Sequence, residues 1–399
     1  MNIALLVRSV PPMIDGVGDY TWHLASSFRQ LGIDARIFTS KDQIVSEEGK
    51  GWVYPVISRW TGPEMAQAIC AHENFRLDWC CFQFVPQMYG SRGIYWRASG
   101  IPLFLKQKLT FRIAVTFHEF GWSQGACLKN VVLRAIANQQ TKRLLAGCDI
   151  AITTCARYAD SLKAVSSKKF PVVTIPVGAG VQPVCVSPRD IRDLRQRYSL
   201  GESRVFGMFG RLSSFRNYPT SIRILKRARQ LGLNVCLMLI GCVQSSQPVL
   251  FEQLMELAKE YGVEKKLIVT GELSPCALSQ HLRLVDLFLF PQSDGVNTRS
   301  TTIISALAHG LPIIAYEPMA GNFDGYKIPH VALVTPGDEE CFIQTAIRFL
   351  EGAADNNSVL QNANIDYFEN HFSWPRIRDQ YVEAFRMAEP KVDVVHRKG

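Results

Sequence analysis

Short apolar runs alternate with longer amphipathic stretches along the whole chain. In the first half, residues 3–7, 36–39, 79–84, 113–117, 150–153 and 172–175 are dense in Val, Ile, Phe and Cys, with little alternation of apolar and polar positions. A strand wetted on one face alternates, whereas a continuous apolar run fits a strand covered on both faces. Residues 17–31, 131–146 and 156–165 lie between these runs and carry a helical pattern. The succession predicts β–α–β units and a mostly parallel sheet.

Segment 176–188, PVGAGVQPVCVSP, has three prolines and two glycines and interrupts the pattern, so a domain boundary is expected there. A second series follows, with strands predicted at 205–209, 235–240, 267–270, 287–290, 313–315 and 331–334. Its helices are expected at 219–231, 250–261, 275–284, 300–309 and 339–351. Residues 374–387 read as one more amphipathic helix, with Pro375 in its first turn. There is no short-period repeat. The expected architecture is α/β, with two doubly wound Rossmann-like domains, 1–182 and 188–371, facing each other across a cleft.

Composition narrows the class. The chain has 399 residues, 47% hydrophobic and 20% charged, which excludes a mostly disordered chain. No apolar run approaches the roughly 20 residues of a spanning helix. The opening MNIALLVRSVPP lacks a basic leader, and Arg8 breaks its apolar stretch, so a cytoplasmic location is expected. The eleven cysteines form no CxxC pair, and Cys80 and Cys81 are adjacent. That spacing suits neither a disulfide framework nor a zinc site, and mostly buried, reduced thiols are expected.

The net charge of +9 is unevenly placed. Residues 1–185 carry 20 Lys/Arg against 12 Asp/Glu, and residues 186–399 carry 24 against 23. Such asymmetry fits an anionic partner for the first half, whether nucleic acid, an anionic membrane surface or a phosphorylated substrate. A lysine-rich soluble surface explains it equally.

Ligands of open α/β sheets bind beyond the carboxyl ends of the strands, where helix N-termini offer free N–H groups to anions. Four places fit. Asp15-Gly16-Val17-Gly18-Asp19-Tyr20 precedes the first helix, and its two glycines allow close backbone approach to a phosphate, or simply make a flexible turn. Phe117-His118-Glu119 ends a strand, where a histidine can bond a hydroxyl or serve a structural role. Gly210-Arg211-Leu212 followed by Arg216 places two guanidinium groups in one loop, as phosphate ligands or ordinary surface charges. The run from Pro291 to Thr302 gathers Asn297, Thr298, Ser300, Thr301 and Thr302 where a helix begins. It reads as a pyrophosphate cradle or as a Ser/Thr-capped helix.

In this order, these pieces resemble the retaining glycosyltransferases of the GT-B fold, specifically the family 4-like group, over nearly the whole chain. Pro11-Pro12 and Gly16-Val17-Gly18 look like the family's start, where a Gly-rich loop faces the donor diphosphate and acceptor. Thr116-Phe117-His118-Glu119 is similar to its T-x-H-D segment, whose histidine touches the donor sugar. Ile175-Pro176-Val177-Gly178 matches the I-P-x-G run entering the linker. Gly210-Arg211-Leu212 with Arg216 resembles G-R-L-x-x-x-K, whose two cations bind the donor phosphates. Phe372-Ser373-Trp374 resembles the family's F-S-W entry, which implies a helix over 372–389 returning to the first domain. One departure concerns the family's pair of glutamates, the first near the reacting sugar and the second on the ribose. Counting back from Ala306-Leu307-Ala308-His309-Gly310, their positions hold Asn297 and Ser305; counting forward from Pro291, Asp294-Gly295 takes the place of the first.

The resemblance implies transfer of a sugar from a nucleotide diphosphate to an acceptor hydroxyl, on a glycan, a lipid-linked sugar or a small molecule, with retention. His118 and Asp294 are the implied catalytic residues. Gly16, Val17, Gly18, Gly210, Arg211, Arg216, Asn297, Thr298, Ser300, Thr301, Thr302 and Ser305 are the implied donor contacts. No cofactor is implied beyond the nucleotide-sugar substrate, and no metal, since the chain has no D-x-D. Two other readings share the fold: a nucleotide-sugar epimerase and a non-catalytic nucleotide-sugar binder. A dinucleotide oxidoreductase is disfavoured because no GxGxxG with a later acidic residue follows either first strand. No nucleic-acid-binding module is present. Tyr95, Trp96, Arg97, Leu103, Leu105, Lys106, Lys108 and Arg112 mix aromatic, aliphatic and basic side chains. They are expected either to rest peripherally on anionic lipid or hold a lipid-linked acceptor, or to form a buried hairpin or helix with a solvated basic edge.

Overall fold

The computed structural model describes residues 1–13, 15–71, 76–90, 94–119, 128–166, 171–320, 331–352 and 357–389. The chain divides into two compact units: Met1–Pro176 with Trp374–Gly399, and Val177–Ser373.

The first unit is built on seven parallel strands: β1 (Asn2–Leu6), β2 (Asp34–Ser40), β3 (Val53–Ile57), β4 (Trp79–Phe84), β5 (Arg112–Phe117), β6 (Ile150–Thr153) and β7 (Val172–Thr174), in the order β3-β2-β1-β4-β5-β6-β7. Every residue of β4 and β6 is buried, as continuous apolar runs require of central strands. Strand β3, VYPVI, escapes the apolar-run criterion because of Pro55. A proline donates no ladder hydrogen bond, and β3 accordingly lies at the sheet edge. Its register with β2 slips between Thr39 and Ser40. Helix Gly62–Cys70 follows, with proline in its first turn.

Helix Trp374–Met387 completes this unit against helix Gly16–Gln30. Phe385 stacks on Trp79 with ring centroids 4.4 Å apart, and Tyr381 and Phe385 are fully buried. The remaining core joins Leu6, Phe38, Phe82, Phe84, Val115 and Phe117 from four strands.

The second unit has six parallel strands: β8 (Arg204–Phe209), β9 (Val235–Ile240), β10 (Leu267–Val269), β11 (Leu287–Phe290), β12 (Ile313–Tyr316) and β13 (Val331–Val334), in the order β10-β9-β8-β11-β12-β13. Both sheets are therefore doubly wound, with the order reversing beside the first strand of each. Its core packs Phe206, Leu237, Leu239, Leu287, Leu289 and Ile314 against helices Tyr218–Gln230 and Glu339–Gly352.

The Pro-rich segment is not a free linker. Val177 N–H donates to Thr298 O at 3.0 Å, Val181 N–H to Ser305 Oγ at 3.1 Å and Val184 N–H to Ser279 Oγ at 3.0 Å. Those bonds assign residues 177–182, expected with the first domain, to the second unit. Helix Pro188–Arg197 then begins inside the segment. Ser187 and Asp190 exchange backbone and side-chain bonds in a capping box, and proline opens the first turn.

Candidate active site

In the second unit, β8 is followed by Gly210, whose φ of +116° suits glycine. A Cβ there would stand 2.6 Å from Arg216 Nη2, so the missing side chain makes room for that guanidinium. Arg216 donates from Nη1 to Phe209 O at 2.7 Å and from Nη2 to Thr302 Oγ1 at 3.1 Å. It thus ties the end of a central strand to the first turn of helix Thr301–Ala308. Arg211 is exposed, and among the described residues its guanidinium has no hydrogen-bond or ion-pair partner. One cation is fixed and the other is free to meet a ligand.

Helix Thr301–Ala308 starts after β11. Its N-cap, Ser300, makes no side-chain capping bond, so the first-turn amides lack the usual hydroxyl acceptor. The loop before it is tightly determined. Gly295 has φ +66°, and a Cβ there would fall far inside contact with Glu317 O. Asp294 is half-buried and accepts from Gln292 Nε2 at 2.6 Å and Asn297 Nδ2 at 3.3 Å, while Arg299 Nη2 lies 3.7 Å away. It is a held, charge-balanced carboxylate.

Three other proposed donor contacts are engaged in building this loop. Asn297 is buried, donates also to Gly295 O and accepts from Arg299 N–H at 3.2 Å. Thr298 is buried, and its carbonyl holds Val177. Ser305 is fully buried; its hydroxyl donates to Thr301 O at 2.6 Å and accepts from Val181 N–H. Thr301 lies beside Gly180, where a Cβ would approach its own at 3.2 Å. The second unit therefore brings Gly210, Arg216 and Thr302 into one cluster, keeps Arg211 accessible, and uses Ser305 to hold the entering chain.

In the first unit, Asp15 caps helix Gly16–Gln30, accepting from Val17 N–H at 3.1 Å and from the Ser9 hydroxyl. The two glycines do different things. A Cβ at Gly18 would be 2.7 Å from Ser9 O, so glycine is needed for the helix to pack against the loop after β1. Gly16 is exposed, with nothing within 4 Å of a Cβ. Asp19, in the first helical turn, has its carboxyl pushed up to about 7, chiefly by burial and then by repulsion from Asp15.

His118 follows β5 and is buried; its N–H donates to Phe84 O at 3.0 Å. Its Nε2 stands 2.8 Å from Gln83 Oε1. An amide oxygen only accepts, so Nε2 carries the hydrogen and Nδ1 keeps its lone pair. Burial lowers the imidazole to about 3, so His118 is neutral near pH 7. Tyr20 meets the His118 ring edge-on at 4.7 Å. Tyr20 Oη donates to Tyr381 Oη at 2.9 Å, and Tyr381 Oη is 2.9 Å from Thr116 Oγ1. All three are buried.

Sequence reasoning passed over Gln83 and Tyr381, and named Asp19 and Tyr20 only as part of the Gly-rich loop. Gln83 is a polar residue inside the apolar run 79–84, which was the signal available for it. Tyr381 lies 265 residues from Thr116 and 361 from Tyr20, and no local pattern pairs them. Among the described residues, no group of three His, Cys, Asp or Glu could hold a metal ion.

Residues 190–365 match the family described as glycosyl transferases group 1. A curated relative from Mycobacterium tuberculosis, a GDP-mannose-dependent α-(1-6)-phosphatidylinositol monomannoside mannosyltransferase, is 26% identical over 207 residues, 50% of this chain and 49% of its own. The chain thus aligns with about half the length of the curated relatives it matches. Sucrose-phosphate synthase from Thermosynechococcus elongatus is similar in fold, with 18% identity, TM-score 0.69, and 97% of this chain and 98% of that chain covered. So is HepE of Anabaena, solved with UDP-glucose, at 15% identity, TM-score 0.70, and 97% and 100% coverage. Residues 190–365 are thus similar to the glycosyl transferases group 1, and the chain's two parallel-sheet Rossmann-like units have the GT-B fold.

Proposed function

We propose that the chain is a retaining hexosyltransferase that moves a sugar from a nucleoside diphosphate to an acceptor hydroxyl. The observation that carries this reading is Arg216. It is clamped between Phe209 O and Thr302 Oγ1, beside an exposed Arg211 and a helix start without a side-chain cap. Departure of a diphosphate creates negative charge, and preorganised cations and amide dipoles stabilise it. Arg211, Arg216 and the Thr301–Thr302 amides are assigned that role.

Neutral His118, with Nδ1 as acceptor, is assigned to a hydroxyl of the donor sugar; it is not a proton donor at neutral pH. Asp294 is assigned the far edge of that sugar. The bond from the anomeric carbon to the diphosphate oxygen breaks, and a bond to the acceptor oxygen forms on the same face. The acceptor's proton passes to the departing phosphate oxygen, so no protein nucleophile is required. Because the curated relatives are named as GDP-mannose-dependent and as acting on a phosphatidylinositol mannoside, GDP-mannose with a glycolipid acceptor is the first combination to try.

A second reading, a non-catalytic binder of nucleotide sugars, is favoured by one observation. The positions of the family glutamates hold Asn297 and Ser305, both buried in structural bonds. The deciding experiment supplies GDP-mannose, UDP-glucose and ADP-glucose with lipid and glycan acceptor pools, and reads nucleoside diphosphate release and the product's anomeric NMR signal. Acceptor-dependent release with an α-linked product supports transfer; the donor's isomer formed without acceptor identifies an epimerase. Binding without turnover identifies the non-catalytic reading.

A further inference from the structure

The basic surplus of the first unit is concentrated. Residues 79–148 contain nine Lys/Arg and a single acidic residue, Glu119. Helix Leu128–Ala146 contains no Asp or Glu at all. In the segment expected to carry a basic surface, the structure removes much of that surface. Tyr95, Ile101 and Leu105 are buried. Lys106 pairs with Asp149 at 2.6 Å and Arg112 with Glu389 at 3.2 Å, which balances two of its cations.

The accessible cations lie on the neighbouring helix. At 100° per residue, Val131, Val132, Ala135, Lys142 and Arg143 fall on one stripe roughly 120° wide. All five are exposed, the two valines by 48% and 50%. Arg143 lies over the Trp96 ring at 5.5 Å, and that indole is itself 40% exposed. Neither Lys142 nor Arg143 has an ion-pair partner among the described residues. Adjacent exposed valines and an indole do nothing for solubility, and the cations on the same stripe, Arg143 over the indole and Lys142 next to it in sequence, about three turns from the valines, have no acidic partner among the described residues. Apolar side chains flanked by Lys and Arg suit the boundary between lipid headgroups and acyl chains.

We propose that Trp96 and the Val131–Arg143 stripe of helix Leu128–Ala146 form a docking surface for an anionic lipid bilayer. The cations meet the lipid phosphates, and the valines and indole enter the headgroup layer. Charge complementarity selects this occupant: a second copy would set like charges against each other, and nucleic acid offers nothing to the valine pair. The surface lies wholly within the first unit and is independent of the donor site.

The test is flotation of the full chain, without nucleotide, on vesicles of phosphatidylcholine with and without a third of phosphatidylglycerol. Binding is expected only with phosphatidylglycerol and is expected to fall as salt rises. Each basic residue near such a surface contributes about fivefold, so Lys142→Gln with Arg143→Gln should weaken partitioning about 25-fold. Val131→Ser with Val132→Ser should weaken it while leaving the salt dependence unchanged. Arg189→Gln with Arg192→Gln, exposed on helix Pro188–Arg197 of the other unit, removes the same charge and should change nothing. Absence of binding, equal binding to both vesicles, or equal losses in the two charge pairs would overturn the proposal. Nucleotide binding, measured separately, is unaffected by either result.

Discussion

Removing one oxygen from the C-terminal helix should loosen the first unit in a measurable and non-additive way. Tyr381→Phe keeps the ring contacts with Phe28 and Phe385 and deletes only the hydroxyl between Tyr20 and Thr116. Two buried bonds are lost, each worth about 1 kcal/mol net, and the Tyr20 hydroxyl is left buried without its acceptor, at about 1–3 kcal/mol. The expected destabilisation is about 3–5 kcal/mol. Tyr20→Phe removes one bond and strands nothing, because Tyr381 keeps Thr116, so about 1 kcal/mol is expected. With both hydroxyls gone the stranded donor is absent, so the double variant should lose only the two bonds, about 2 kcal/mol, and be more stable than Tyr381→Phe alone. The coupling is therefore about 2–4 kcal/mol in magnitude. All seven tryptophans lie in the first unit, so their fluorescence during urea unfolding reports that unit selectively. Strict additivity, or a Tyr381→Phe loss below about 0.5 kcal/mol, would refute the claim that these hydroxyls fasten the helix.

The same fluorescence signal tests two opposed titrations. Asp19, raised from 3.8 to about 7, binds more protons folded than unfolded, so its contribution to stability falls as pH rises through that window. His118, lowered from 6.5 to about 3, binds fewer protons folded, and its contribution falls as pH drops below 6.5. The two nearly cancel between about pH 4 and 6.5; Asp19→Asn should unmask a rise with pH and His118→Asn a fall, each at most about 1.4 kcal/mol per pH unit. Parallel slopes in both variants would contradict the assignment. In the second unit, Gly295→Ala should cost more than about 2 kcal/mol by circular dichroism melting, because its Cβ meets the backbone of Glu317 at positive φ. Gly16→Ala, facing open space, should be silent. Ser305→Glu places a carboxylate where the hydroxyl holds Val181, so it should lower the melting temperature by several degrees without raising transferase activity.

How far the sequence discloses this molecule depends on whether the cause is local. The apolar runs at 79–84, 150–153, 235–240 and 287–290 coincide with strands because burial on both faces leaves no other composition open to them. Strand β3 was hidden by Pro55, which only an edge position tolerates. Helix Pro188–Arg197, which starts on the last proline of the proline-rich run, was passed over, although Ser187 and Asp190 at capping-box spacing announce it. At the candidate site, Gly210, Arg211 and Arg216 were legible as a loop motif, but not the division of labour between a clamped and a free arginine. Ser305 could be aligned to a family position but not seen to hold Val181, a contact 124 residues away. Buried networks such as Tyr20–Tyr381–Thr116 are written in tertiary structure alone.

The central claim is that the Gly210–Arg216 loop and the start of helix Thr301–Ala308 receive the diphosphate of a nucleotide sugar. Calorimetric titration of the full chain with GDP, UDP, ADP, TDP and NAD tests it most directly, with Arg211→Ala and Arg216→Ala alongside. The account predicts selective binding of one nucleoside diphosphate. Arg211→Ala should weaken it about tenfold or more by removing a charge-assisted contact. Arg216→Ala should weaken it further, because the Thr302 end of the clamp is released as well. Binding of NAD alone, or a nucleoside diphosphate held equally well by both variants, would contradict it.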